Sequence, residues 1–109
     1  MFKKFNYKNI VWIDIESPSP EECQQLGSEY NIHRLVLAEL TAPSRRSKVD
    51  VYKNFIYLVL HFPAAGYKQQ EIDFILGRDF IITSHYEPTS PLDDFARIFE
   101  ADLSSVKTG

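Results

Sequence analysis

Residues 47–62, Ser-Lys-Val-Asp-Val-Tyr-Lys-Asn-Phe-Ile-Tyr-Leu-Val-Leu-His-Phe, carry the clearest change of pattern in the chain. Up to Lys53 the positions alternate, with Val49 and Val51 on one side and Asp50 and Tyr52 on the other. That is the period of a strand with one dry face and one wetter face. Lys53-Asn54 punctuates the run, and Asn tolerates the left-handed backbone that a tight reversal needs, which predicts a hairpin. Beyond it Phe55-Ile56-Tyr57-Leu58-Val59-Leu60 is apolar on both sides, as in a central strand covered on both faces. The run is too short for an ordinary buried helix and far too short to cross a bilayer.

The same reading extends in both directions. Phe2, Phe5 and Tyr7 stand among lysines and predict a short edge strand, lysine being a common edge guard. Ile10-Val11-Trp12-Ile13-Asp14-Ile15 is apolar on both faces until Asp14 and reads as a second inner strand. Ser19-Pro20-Glu21-Glu22 opens a helix: Ser19 caps, Pro20 fits the first turn, and Glu22 completes a capping box. Cys23, Leu26 and Tyr30 form its buried stripe, and Asn31 is a left-handed terminator. A shorter helix over Arg34 to Leu40 follows, with Leu35, Leu37 and Leu40, and Pro43 marks its limit. After the break at Pro63-Ala64-Ala65-Gly66, a second hairpin runs from Glu71 to His85, with Gly77 supplying the permissive backbone of its turn. Ser90-Pro91-Leu92-Asp93 starts a last helix whose stripe is Leu92, Phe95, Ile98, Phe99 and Leu103. The expected fold is α/β, a mixed β-sheet with hairpins and helices packed on its faces.

At 109 residues the chain is one domain, expected over 1–103, with 104–109 as a frayed tail. A net charge of −3 leaves no basic footprint for nucleic acid. The single Cys23 excludes an internal disulfide and a thiol cluster for zinc. Met1-Phe2-Lys3-Lys4-Phe5 lacks the apolar stretch of a secretion signal, so a reducing cytosolic setting is expected.

Candidate chemistry is sparse. His33, His61 and His85 share no metal-ligand spacing. His61 reads as a satisfied sheet residue, His33 as a helix cap and His85 as a wet strand end. Ser17, Ser19 and Ser90 have capping explanations, so no serine is needed as a nucleophile. The four glycines never cluster into a phosphate-cradling loop. Asp93, Asp94, Glu21 and Glu22 sit at helix starts, where the dipole accounts for them. Glu39 is different, because it falls at the negative end of a short helix and wants a cation nearby. Arg45 or Arg46 in the polar loop Thr41 to Lys48 is one candidate, and a divalent metal is the other. The loop itself reads as a solvated connector or as a contact for an acidic partner.

Three stretches together carry a family resemblance: Val11-Trp12-Ile13-Asp14-Ile15 with the Ser-Pro-Glu-Glu start, Asn31-Ile32-His33-Arg34-Leu35, and Lys48-Val49-Asp50-Val51-Tyr52 with Phe55 to Leu60. With Asp73 to Thr83, they resemble, in unbroken order over about residues 9–85, the N-terminal cytosolic domain of CorA-family magnesium and cobalt transporters. The resemblance implies a homopentamer with this domain on the cytoplasmic face of the membrane. It also implies a stalk helix and two membrane helices beyond Gly109, so the chain reads as a piece of a longer protein with no membrane span of its own. Metal bound between this domain and a neighbour's stalk regulates transport in the family, through an acidic pair in the short helix. That pair stands here as Ala38-Glu39, which makes Glu39 the candidate ligand for Mg2+ or another divalent cation at an intersubunit site. A second reading is a stand-alone adaptor that adds a partner's strand to the Phe2–Tyr7 edge. An enzyme has no nucleophile–base constellation to stand on.

Overall fold

Alternation and capping resolve into six strands and two helices. The computed structural model describes residues 2–44, 46–63 and 69–86. In chain order these form β1 (Phe2–Tyr7), β2 (Ile10–Glu16), α1 (Pro20–Tyr30), α2 (Arg34–Leu40), β3 (Lys48–Val51), β4 (Phe55–Pro63), β5 (Gln69–Gly77) and β6 (Phe80–His85). The expected helix from Ser90 to Leu103, with Asp93 and Asp94, and the 104–109 tail lie outside the described residues.

The strands make one mixed sheet in the order β1-β2-β6-β5-β4-β3. β2 and β6 run parallel, and every other pair is antiparallel. β1 is an edge and β2 an inner strand, as their sequences imply.

Local chemistry sets both helices. The Ser19 hydroxyl accepts the Glu22 amide at 3.1 Å, and the Glu22 carboxylate accepts the Ser19 amide at 2.9 Å. Two otherwise orphaned amides are thereby satisfied. α1 stops at Asn31, which adopts φ 57° and donates its amide to the Gly27 carbonyl. α2 begins where His33 accepts the Leu35 amide on Nδ1 at 3.1 Å, the capping role expected for it.

Both described helices bury the same face of the sheet. Ile13 and Ile15 of β2, Phe80 and Ile82 of β6, Ile75 of β5, and Phe55, Tyr57 and Val59 of β4 pack with Cys23, Leu26, Ile32, Val36 and Leu40. On the opposite face Trp12 and Ile72 are buried with Phe5, Phe74 and Ile81 against them. Each fully buried side chain of the first group is worth roughly 1.5–3 kcal/mol of transfer free energy, so the helix layer contributes most of the stability.

Several sequence expectations need correction. β4 is fully covered on one face only, since Ile56, between buried Phe55 and Tyr57, and Phe62 further along are exposed. An unbroken apolar run says that both faces are greasy, and not what lies against each. On β3 the wetter side is the valine side. Val51 is 77% exposed, whereas Asp50 and Tyr52 are half-buried. The register Val49↔Leu58 and Val51↔Ile56 puts both valines on the face away from the helices, on an edge strand. In α2 the buried pair is Val36 and Leu40, and Leu35 is 61% exposed. The Lys53-Asn54 hairpin forms, closed by the Tyr52 amide on the Phe55 carbonyl at 2.9 Å. It needs no left-handed residue, because among the described residues the positive-φ non-glycine positions are Lys8, Ser17 and Asn31. Gly77 serves sterically: the Phe80 ring occupies the place of a Cβ, and its φ lies outside the left-handed region.

Candidate functional site

Glu39 is the next-to-last residue of α2, and Lys48 is the first of β3. The loop between them folds back so that the Lys48 ammonium sits on Glu39 Oε1 and lies 3.3 Å from Asp50 Oδ2. The same ammonium stands 5.4 Å from the centroid of the Tyr57 ring. The charge that Glu39 requires at the negative helix end is therefore Lys48, in place of the arginines expected from sequence. Arg46 lines the adjoining cleft, and Arg45 lies outside the described residues. The hydrogen bond to Glu39, aided by Asp50, holds the Lys48 pKa above its ordinary value. An open cleft of about 370 Å³ is bounded here by Glu39, Ala42, Pro43, Ser44, Arg46 and Lys48.

The floor of this loop is a polar cluster on the helix-facing side of the sheet. Glu71 Oε1 accepts the Ser44 amide at 2.6 Å. His61 bridges the loop, with Nε2 3.0 Å from the Ser44 carbonyl and Nδ1 2.9 Å from the Ser47 hydroxyl. Because a carbonyl only accepts, Nε2 carries a proton and donates to Ser44, and Nδ1 is paired with the Ser47 hydroxyl. His61 is thus a satisfied sheet residue, as expected. Next along β5, Asp73 accepts the Tyr57 hydroxyl at 2.6 Å. Burial, reinforced by Asp73, pushes the Tyr57 phenol well above its usual range. Burial and the neighbouring Glu71 raise the Asp73 carboxyl to about 8. Sequence reasoning passed over Glu71 and Asp73. Their signal was two carboxylates at i and i+2 in the otherwise apolar Ile72-Phe74-Ile75-Leu76 stretch, hence on one face of the strand.

A second polar cluster crosses the parallel β2–β6 pair on the far face. The Trp12 indole donates to the Thr83 hydroxyl at 2.9 Å, and Thr83 donates to Asp14 at 2.6 Å. His85 Nε2 lies 2.9 Å from the other Asp14 oxygen. His85 is 4% exposed, which overturns its reading as a wet strand end. β6 continues inward past Thr83, and parallel pairing sets His85 opposite Glu16, beside Asp14. Ser17 does not cap α1. It adopts φ 48°, donates its amide to the His85 carbonyl and donates its hydroxyl to the Tyr86 carbonyl.

Among the described residues no three His, Cys, Asp or Glu side chains converge on a point that could hold a metal ion. Glu39 brings one carboxylate, already engaged by Lys48, and a hard divalent cation needs six or more oxygen ligands. Taken alone, these residues do not complete a metal site. Nor is any helix among the described residues long and apolar enough to cross a membrane.

Comparison with known proteins supplies the wider frame. The chain is 27% identical over 91 residues to a Schizosaccharomyces pombe protein named as a metal ion transporter, covering 78% of this chain and 15% of that protein. It is 25% identical over 99 residues to the Bacillus subtilis protein YfjQ, also named as a metal ion transporter, covering 90% of this chain and 31% of the relative. The chain thus spans less than a third of the length of either relative. Its fold matches the soluble domain of CorA from Methanocaldococcus jannaschii with a TM-score of 0.65 at 14% identity, over 91% of this chain and 39% of that one. The complete CorA magnesium transporter of the same organism gives a TM-score of 0.69 at 13% identity, over 95% and 33%. The family model described as "CorA-like Mg2+ transporter protein" matches residues 7–108, nearly the whole chain, and the protein belongs to that family.

Proposed function

We propose that this chain is the regulatory cytosolic domain of a divalent-cation transporter that carries Mg2+ or Co2+ across the cell membrane. The observation that supports it most is the continuous family match over residues 7–108, which takes in the capped helices, both hairpins and the Glu39 cleft. As a member of a transporter family the chain is not an enzyme. In this reading the domain lies on the cytoplasmic face, packs against its own stalk and neighbouring subunits of a homopentamer, and regulates permeation. Glu39 contributes one carboxylate to an intersubunit site, and the remaining oxygens come from a neighbouring subunit and from water. Lys48 holds that carboxylate while metal is absent and yields it when metal binds.

The test uses the full-length coding sequence in cells that lack magnesium uptake. Restored Mg2+ or Co2+ accumulation supports transport, and its absence with the protein correctly inserted in the membrane sinks it. Glu39→Ala in that transporter is expected to raise the Mg2+ concentration needed for closure. An unchanged Mg2+ dependence removes Glu39 from the regulatory site and leaves the transport reading standing.

A further inference from the structure

The Glu39 cleft owes its shape to the Ser44 loop, which the sheet holds through Glu71 on the Ser44 amide and through His61 on the Ser44 carbonyl and the Ser47 hydroxyl. Glu71 and Asp73 occupy alternate positions of β5, so both face the helix layer. They are 9% and 2% exposed. One oxygen of each is engaged: Glu71 Oε1 by the Ser44 amide and Asp73 Oδ2 by the Tyr57 hydroxyl. The other two, Glu71 Oε2 and Asp73 Oδ1, are buried without a hydrogen-bond partner.

Two buried carboxylate oxygens that both lack donors, on alternate residues of β5 and so on one face of the strand, leave one economical solution. A single proton on Asp73 Oδ1, donated to Glu71 Oε2, satisfies both and reduces two buried like charges to one. Every other hydrogen bond of the cluster survives that assignment.

We propose that the Glu71–Asp73 pair is a proton-operated latch on the Ser44 anchor beside the cleft, closed when the two carboxyls share a proton and loosened when the proton is lost. Loss of the proton sets two anions side by side in a dry site. Glu71 relieves the repulsion by swinging toward solvent, and the Ser44 anchor goes with it. This device does not rest on the transport reading.

The groups facing the pair leave it short of compensating charge. β4 supplies Tyr57 and His61, whose Nε2 is 3.7 Å from Glu71 Oε1. Glu39 of α2 adds negative potential, and Lys48 of β3, the cation above the Tyr57 ring, is already shared by Glu39 and Asp50. Tyr86 and Cys23 are neutral neighbours, the first with its phenol pushed up by burial and by both carboxylates, the second with its thiol pushed up by burial. With Asp73 raised from 3.8 to about 8, proton release accompanies opening. The closed form is therefore favoured in full below the ordinary carboxylate range, and the preference is lost as pH rises towards 8.

The test follows the Ser44 amide by hydrogen exchange in the 109-residue chain, as a protection factor with the intrinsic chemistry divided out. In the wild-type chain it is expected to fall by up to about tenfold per pH unit between pH 5 and 8 and to level off above. Asp73→Asn keeps the Tyr57 acceptor and supplies a permanent donor to Glu71, so its Ser44 protection stays flat, and contributions from His61 are common to both proteins. Identical profiles in the two overturn the latch. Should Asp73→Asn not fold, the wild-type Asp73 carboxyl carbon decides by NMR. A midpoint near 8 with the Ser44 amide shift moving in step supports the proposal, and an ordinary carboxylate midpoint or an unmoved Ser44 overturns it.

Discussion

Asp14 and His85, 71 residues apart in sequence, meet across the parallel β2–β6 pair with 2.9 Å between carboxylate oxygen and Nε2. The other Asp14 oxygen accepts Thr83, which in turn accepts Trp12, so a single carboxylate organises three side chains from two strands. Parallel strands have no connecting turn to fix their register. This cluster supplies what the missing turn cannot, since a slip of one residue would move every one of these side chains to the opposite face.

Removing the carboxylate therefore takes the Asp14 acceptor away from the Thr83 hydroxyl and from His85 Nε2. Asp14→Ala is expected to cost about 3 kcal/mol of folding stability, the magnitude of breaking a buried pair from one side. Asp14→Asn retains a carbonyl acceptor for Thr83 and is expected to cost less. Urea denaturation of the two variants against the wild-type chain, at constant slope, measures the difference. Equal and negligible losses would mean that the cluster is incidental to stability.

The α1 cap makes a smaller contribution. Ser19→Ala removes the acceptor for the Glu22 amide and is expected to cost about 1 kcal/mol. Hydrogen bonding to the Ser19 backbone is also the main reason that Glu22 sits below its usual 4.5. A depressed carboxyl stabilises above its unfolded value and loses that contribution as pH falls through the folded one. The advantage of wild type over Glu22→Gln should accordingly shrink as pH drops below the ordinary carboxylate range, read as a converging pair of melting temperatures.

What the chain states locally was legible, and what depends on distant partners was not. The Ser19–Glu22 box, the Asn31 stop and the His33 cap each involve residues at most four apart, and each forms as its sequence implies. The hairpins were legible from apolar runs punctuated at Lys53-Asn54 and at Gly77. The choice of buried face was not: Val49 and Val51 look like core residues until β4 and the sheet edge place them. Lys48 was overlooked as the partner of Glu39 because a sequence separation of nine hides a loop that doubles back. Asp14, Thr83 and His85 gave only the weak signal of a polar residue in an apolar strand, and nothing in a single sequence pairs them. Glu71 and Asp73 gave a stronger one, since alternation alone puts both on a shared face.

The two glycines with close neighbours should respond differently to a methyl group. At Gly77 the Cβ would overlap the buried Phe80 ring, which packs at a tilt against Tyr30 with ring centroids 4.8 Å apart and has little room to turn. Gly77→Ala is expected to destabilise by about 1–3 kcal/mol through overpacking. At Gly27 the obstacle is the Leu37 side-chain tip, a flexible end on a half-buried residue. There the strain is offset by the better helix propensity of Ala, worth about 1 kcal/mol. Gly27→Ala should thus fall well short of Gly77→Ala in the same denaturation series, and the reverse order would show that the α1–α2 contact is the tighter one.

The Lys48–Glu39–Asp50 cluster is a third exposed in each of its first two side chains, and this limits what it adds to stability. Lys48→Met keeps an unbranched apolar stem and removes the charge that stands over the Tyr57 ring. The expected loss is below about 1 kcal/mol, as for surface ion pairs generally, and it should shrink further in high salt. The same substitution frees the Glu39 and Asp50 carboxylates beside the cleft. Their weak affinity for Mg2+ or Mn2+, measured by titration calorimetry or Mn2+ relaxation enhancement, should rise in Lys48→Met while the fold barely changes. A large stability loss with no gain in divalent binding would reverse the assignment, making Lys48 a structural tie between α2 and β3 with no bearing on metal.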